Sequence, residues 1–380
     1  MFDQIIAFIK SLYPDEVPVP LHAPRFKGKE REYLVDCIDS TYVSYVGNYV
    51  SQFEDEVCKF TGARHAIAVC SGTAALHIAL LAAGVRPGEE VITQPLTFVA
   101  TANAIAHCGA RPVFVDVEQV TLGLDPEILS SFLERESVRK SDGYCYNKHN
   151  GRRIGACVPV HTFGHPARID KIVDACGKHG IPLVEDSAEG LGSFYKGRHV
   201  GTFGLLGIFS FNGNKPVTTG GGGMVITNDD LLGQRVRYLT TTAKEPHPWE
   251  FIHNEVGYNY RLPNVNAAVG CAQMEWFTQA LENKRLTAGL YQDFFERIGV
   301  PFVTEPDHAR SNYWLNAITL EDHRQRDEFL RYASDNSVQA RPVWRLMSHL
   351  PMFKECQTTG LHNAEWLEER VINLPSSVRL

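Results

Sequence analysis

The chain has 380 residues, 44% of them hydrophobic, ample for a sizeable core and for a large domain with a smaller one attached. Its net charge of -7 gives nothing that would draw the whole molecule to nucleic acid or to an anionic membrane. Nine scattered cysteines with no CxxC pair argue against a disulfide framework and a structural metal site, and fit reduced thiols in a cytoplasmic protein.

The N-terminal apolar stretch Ile5-Ile6-Ala7-Phe8-Ile9 is too short for a signal-peptide core, and no run reaches the length of a membrane span. From about Ala66 to Asn228, short β-rich runs alternate with helical patterns. Ala66–Cys70 reads as a strand, Thr73–Ala83 as a helix stopped by Gly84, Val91–Thr93 as a strand, and Phe98–His107 as a helix stopped by Gly109. Val113–Val117 is the next strand; Asp125 as cap with Pro126 behind it starts another helix. The polar segment 135–155 reads as an exposed excursion. Strand Cys157–Val160, helix Ile169–Lys178, and strands Leu183–Glu185, Ile208–Phe211 and Met224–Thr227 continue the series. Such a βαβα rhythm predicts an α/β fold, a largely parallel sheet with helices on both faces.

After about Leu239 the texture changes. A loop rich in Thr, Pro and His (Thr240–Trp249) precedes a long helix expected over Asn264–Ile298 and ended by Gly299. Strand-like Trp314–Leu320, helical Arg324–Ser334 and strand-like Val338–Pro342 form a small α+β unit. The expected division is a large domain over 1–245 and a small C-terminal domain over 246–380 that includes the long helix.

The chemistry concentrates on Ser210-Phe211-Asn212-Gly213-Asn214-Lys215, which runs on to the glycines Gly220–Gly223. A lysine on a small-residue turn between apolar segments is costly to desolvate unless something uses its amine. Asp186 closes an apolar strand, at the end of an α/β sheet where ligands bind. A lysine able to form a Schiff base, with an acid able to hold a pyridinium nitrogen, is the minimal protein signature of pyridoxal phosphate chemistry. Gly72 and Thr73 sit where a strand turns into a helix, a ready phosphate site, although an ordinary capped turn has the same sequence. Glu189 is placed to face the same site or solvent, and Phe98 to cover a ring or fill the core. His161 is a candidate for proton transfer or for a structural hydrogen bond. No HExxH, GxSxG or Walker sequence is present, which leaves metalloprotease, serine hydrolase and P-loop chemistry unsupported.

Four motifs occur in order: Ser71-Gly72-Thr73-Ala74-Ala75-Leu76, Glu185-Asp186-Ser187-Ala188-Glu189, Ser210-Phe211-x-x-x-Lys215 and Gly257-x-Asn259-x-Arg261. Together they resemble the DegT/DnrJ-type nucleotide-sugar aminotransferases, pyridoxal phosphate enzymes of fold type I. Gln94-Pro95-Leu96-Thr97-Phe98, the Thr-Thr-Gly-Gly-Gly-Gly tail, Arg341-Pro342-Val343-Trp344 and Asn373-Leu374-Pro375-Ser376-Ser377 look like the LegC-type subgroup. The resemblance implies a mostly parallel seven-stranded-type sheet and a homodimer with shared sites. Lys215 would carry the cofactor as a Schiff base and shuttle the proton, Asp186 would pair with the ring nitrogen, Phe98 would stack on the ring and Glu189 would lie near O3′. Gly72, Thr73 and Ser210 would hold the phosphate, with Asn259 of the partner subunit; Arg261 would lie near the substrate or the partner. Pro216 departs from the family pattern and should tighten the lysine turn.

The implied reaction moves the amino group of L-glutamate to the C4 ketone of a UDP-linked 4-keto-6-deoxy-N-acetylhexosamine, on routes to bacillosamine or legionaminic acid. Other nucleotides (dTDP or GDP) and amination at C3 stay open. So does a catalytically silent regulatory protein that keeps the cofactor pocket. A dehydratase on this scaffold carries a histidine at the lysine position, so Lys215 speaks against it.

Overall fold

A computed structural model describes residues 1–379. Its centre is a sheet built from β1 (His65–Val69), β2 (Glu90–Thr93), β3 (Arg111–Phe114), β4 (Ile154–Val158), β5 (Val184–Asp186), β6 (Leu206–Ser210) and β7 (Gly223–Thr227). The ladders give the order β1-β7-β6-β5 on one side and β4-β2-β3 on the other. Parallel bridges Cys157↔Leu183 and Val160↔Asp186 join the halves into seven strands. Only β7 runs against its neighbours.

The helices of this part of the chain are α1 (Phe2–Leu12), α2 (Glu30–Asp39), α3 (Asn48–Thr61), α4 (Gly72–Ala82), α5 (Val99–His107), α6 (Pro126–Glu136), α7 (Ile169–His179), α8 (Asp230–Thr240) and α9 (Asn264–Ile298), of which α3 to α8 and the first half of α9 cover the sheet. Strand alternation sends successive side chains to opposite layers. Ile67, Val69, Ile208 and Val225 pack under α4, α5 and α8. Their neighbours Ala66, Ala68, Phe209 and Met224 pack under α3 and the first half of α9. Asp125 caps α6 through Glu127 and Ile128 N–H, and Gly180 and Gly299 close α7 and α9 with φ of 66° and 69°.

The second unit contains β8 (Asn316–Thr319), β9 (Arg341–Pro342) and β10 (Val371–Leu374), in the order β8-β10-β9, with α10 (His323–Asp335) and α11 (His362–Arg370). Its core takes in Ile5, Ile6 and Ile9 of α1 alongside Tyr291 and Phe295 of α9, Ile318 and Phe329. A division at 245/246 therefore separates α1 from the residues it packs on. The apolar face of α1 has no partner near it in sequence, so its destination is set by tertiary packing.

Three local readings differ from the structure. Segment 135–155 contains an antiparallel hairpin, Ser137–Arg139 with Cys145–Asn147, anchored where Asn147 Nδ2 donates to Glu90 Oε2 at 2.7 Å. β3 stops at Phe114, whose own N–H and carbonyl bond the Gln357 carbonyl and the Thr359 N–H of the second unit; two residues on, Asp116 N–H donates to Thr359 Oγ1. The loop read from Thr240 onward begins one residue later, because Thr240 ends α8, a helix capped by Asp229 with no counterpart among the elements read from the sequence.

Candidate active site

One cavity of about 390 Å³ opens at the carboxyl ends of β1, β5 and β6. Of the residues singled out in the sequence, Gly72, Thr73, Phe98, Asp186, Glu189, Ser210 and Lys215 line it. Strand ends and the turns that follow them carry all seven, as an open α/β sheet dictates.

The turn after β1 is tight. Ser71 caps α4 by accepting from Ala74 N–H at 3.1 Å, which leaves the N–H groups of Gly72 and Thr73 without partners inside the helix. A Cβ on Gly72 would lie 2.8 Å from Ser210 Cβ, so the two turns touch only because residue 72 has no side chain. At Gly223, a Cβ would meet the Ser71 carbonyl at 2.4 Å, which is why β7 begins with glycine where it passes that turn.

Asp186 is buried. Its Oδ2 accepts from Thr101 Oγ1 at 2.8 Å and its Oδ1 from Ala188 N–H at 3.1 Å. Burial raises its pKa; those two donors and the nearby Lys215 ammonium pull the other way. Glu189 accepts from Phe163 N–H at 2.8 Å through Oε2, while its Oε1 lies 3.3 Å from Lys215 Nζ. Burial lifts Glu189 to about 7 and lowers Lys215, against the attraction between them. The pair is thus pushed towards sharing one proton without separated charges.

The lysine turn is closed by Lys215 N–H donating to the Asn212 carbonyl at 2.9 Å. Pro216 costs this turn no hydrogen bond that it needs. Two tryptophans from the second unit complete the wall, Trp314 and Trp344. The Trp314 ring lies 3.7 Å from Lys215 Nζ, and Trp344 faces Phe98 edge-on at 6.4 Å between ring centroids.

Three other sequence candidates do not line the cavity. His161 is fully buried beside it; its Nδ1 accepts from Ala167 N–H at 3.1 Å and its Nε2 lies 3.1 Å from Glu185 Oε2. Both ring nitrogens are thus engaged with protein, so the histidine braces β5 and has no edge free for a substrate. Arg261 is buried behind the end of β1, with Nη2 3.7 Å from Glu54 Oε1, and Asn259 is exposed on the protomer surface. Sequence reasoning had no role for Thr101, Trp314 or Trp344. Thr101, three residues after Phe98, lies in the first turn of α5, a spacing that offers its hydroxyl to the same site.

The sequence pattern of the DegT/DnrJ/EryC1/StrS aminotransferase family matches residues 24–380. The chain belongs to this family. A GDP-perosamine synthase of Escherichia coli O157:H7 is 36% identical over 94% of this chain and 93% of its own. Another, of Caulobacter vibrioides, is 35% identical over 95% and 94%. The crystal structure of the aminotransferase TlmJ from Streptoalloteichus hindustanus superimposes with a TM-score of 0.84 at 27% identity, covering 94% of this chain and 93% of that one. The protein is a pyridoxal phosphate-dependent sugar aminotransferase of fold type I, acting in nucleotide-sugar biosynthesis.

The residues present fit that cofactor. A lysine amine, a buried carboxylate and a helix N-terminus with N–H groups unpaired inside the helix surround one cavity of about 390 Å³. Among the described residues no group of three metal ligands occurs, and no helix is long and apolar enough to cross a membrane.

Proposed function

We propose that the protein transfers the amino group of L-glutamate to the C4 ketone of a UDP-linked 4-keto-6-deoxy-N-acetylhexosamine. The observation that carries the reading is the convergence of Lys215, Asp186 and the N-terminus of α4 on one cavity whose outer wall is aromatic. The subgroup marks at Gln94–Phe98 and Gly220–Gly223 support UDP and the acetamido sugar.

Bound pyridoxal phosphate supplies an electron sink and a carrier for the amino group. Asp186, held by Thr101, would keep a proton on the ring nitrogen, and Phe98 would cover the ring. Gly72, Thr73 and Ser210 would take the phosphate, joined by Asn259 of the partner subunit in a homodimer. Glu189 would sit on the O3′ side. Lys215 would anchor the cofactor and, once free, carry the proton to and from the substrate carbon. For that work its amine must be neutral part of the time, which burial favours. Phe98 and Trp344 stand together on the cavity wall, where their rings would shield the reacting carbon from water.

A GDP-linked 4-keto-6-deoxy sugar is the second reading, favoured by the GDP-perosamine synthases among the relatives. Incubating the enzyme with glutamate and UDP-, GDP- and dTDP-4-keto-6-deoxy sugars, with products read by mass and NMR, separates them. Preferred amination of the UDP-acetamido sugar supports the first; preferred turnover of the GDP sugar replaces it.

A further inference from the structure

A second lysine is buried in this protein. Lys284 on α9 is inaccessible, and its Nζ donates to the carbonyls of Trp314 at 3.2 Å and of Ser376, and lies 3.0 Å from His22 Nε2. Its three contacts tie the long helix to the C-terminal segment, to the N-terminal segment and to the main chain of Trp314. The indole of the same tryptophan does two things on the other side. Its Nε1–H donates to the Asn214 carbonyl at 2.7 Å, one residue before the reactive lysine. Its face lies 3.7 Å from Lys215 Nζ.

We propose that Trp314 is a positioning residue that receives the free Lys215 ammonium on its ring face, with Lys284 fastening Trp314 from behind. The inference rests on the reading that Lys215 is the cofactor lysine. A tryptophan face is the strongest aromatic partner for a cation, more so in a site closed to water. The indole carries no basic atom, so it can hold the ammonium in place without taking its proton as a carboxylate can. Facing Lys215 from the other elements are Asp186 at the end of β5 and Glu189 in the turn after it, both of which favour the ammonium. His22, on the N-terminal segment, is kept neutral by burial and by the cations Lys284 and Lys215. Against that background the ring contributes a separable preference for the charged amine. Its second contact, to Asn214, sets where that amine stands.

The test uses Trp314→Met, which fills the space without a π face, and Trp314→Phe, which keeps a weaker one. Borohydride reduction of each pyridoxal phosphate-loaded full chain, with peptide mapping, first locates the attached lysine. Acetylation of Lys215 in the cofactor-free full chain is then followed by mass spectrometry across pH, beside thermal melting. In Trp314→Met the midpoint for Lys215 acetylation falls by about one pH unit, the size of a partly desolvated cation–π contact. In Trp314→Phe it falls by less. A merely structural tryptophan would lower the melting temperature and leave the midpoint in place. If cofactor attaches at Lys215 but the midpoint in Trp314→Phe, and in Trp314→Met where it folds, matches that of wild type, the inference is overturned and the reading of Lys215 stands. Attachment at another lysine overturns both.

Discussion

Lys215 Nζ stands 3.3 Å from Glu189 Oε1, with only 11% and 4% of the two side chains exposed. The carboxylate holds the lysine's pKa up while burial drives it down. Replacing the carboxylate by an amide leaves burial unopposed at that contact. Glu189→Gln is therefore expected to shift the onset of Lys215 nucleophilicity to lower pH, read as the pH dependence of cofactor attachment to the stripped enzyme. An onset moved to higher pH would show that Glu189 acts on the lysine in some other way.

Asp186 accepts two hydrogen bonds in a site that penalises its charge. Asp186→Asn removes a charge-assisted contact to the cofactor ring, with an expected loss of about ten- to a hundredfold in kcat. The cofactor-free variant is expected to melt at or above the wild-type temperature, because a buried charge is gone. Thermal denaturation beside steady-state kinetics checks both halves, and a large stability loss with unchanged kcat would contradict them.

Much of the fold was legible because alternation between short apolar runs and capped helices is a local signal. Asp125-Pro126, Gly180 and Gly299 marked helix ends from sequence alone, and α9 follows the expected limits. The destination of α1 was not legible, since its apolar face meets residues some 280–330 positions away. The cavity residues after β1, β5 and β6 could be read because each follows a strand on a distinctive turn. Trp314 and Trp344 could not, because their place on the cavity wall depends on how the second unit docks. His161 follows a strand in the same way, yet Glu185 and Ala167 N–H take both its nitrogens, a competition visible only in three dimensions.

The contact between Gly72 and Ser210 leaves no room for a methyl group. Gly72→Ala is expected to push the two turns apart, with overpacking of about 1–3 kcal/mol divided between stability and cofactor binding. Titration of the stripped enzyme with pyridoxal phosphate should give a Kd raised at least several-fold. Unchanged affinity would place the phosphate elsewhere.

Asn259 is exposed on the protomer and absent from the cavity wall. If it acts across a dimer interface, two defective variants can complement each other. Mixing Lys215→Ala with Asn259→Ala under subunit exchange is expected to create hybrids holding one site with both residues intact, and so to restore activity. A mixture no more active than the mean of its two parents would rule out the shared site.

The role of Lys215 is tested most directly by the position at which borohydride fixes the cofactor to the wild-type enzyme. The phosphopyridoxyl group is expected on the peptide containing Lys215, and is expected to vanish when L-glutamate is added before reduction. Label on another lysine, with the buried Lys284 the nearest rival, or full turnover by Lys215→Ala, would contradict it.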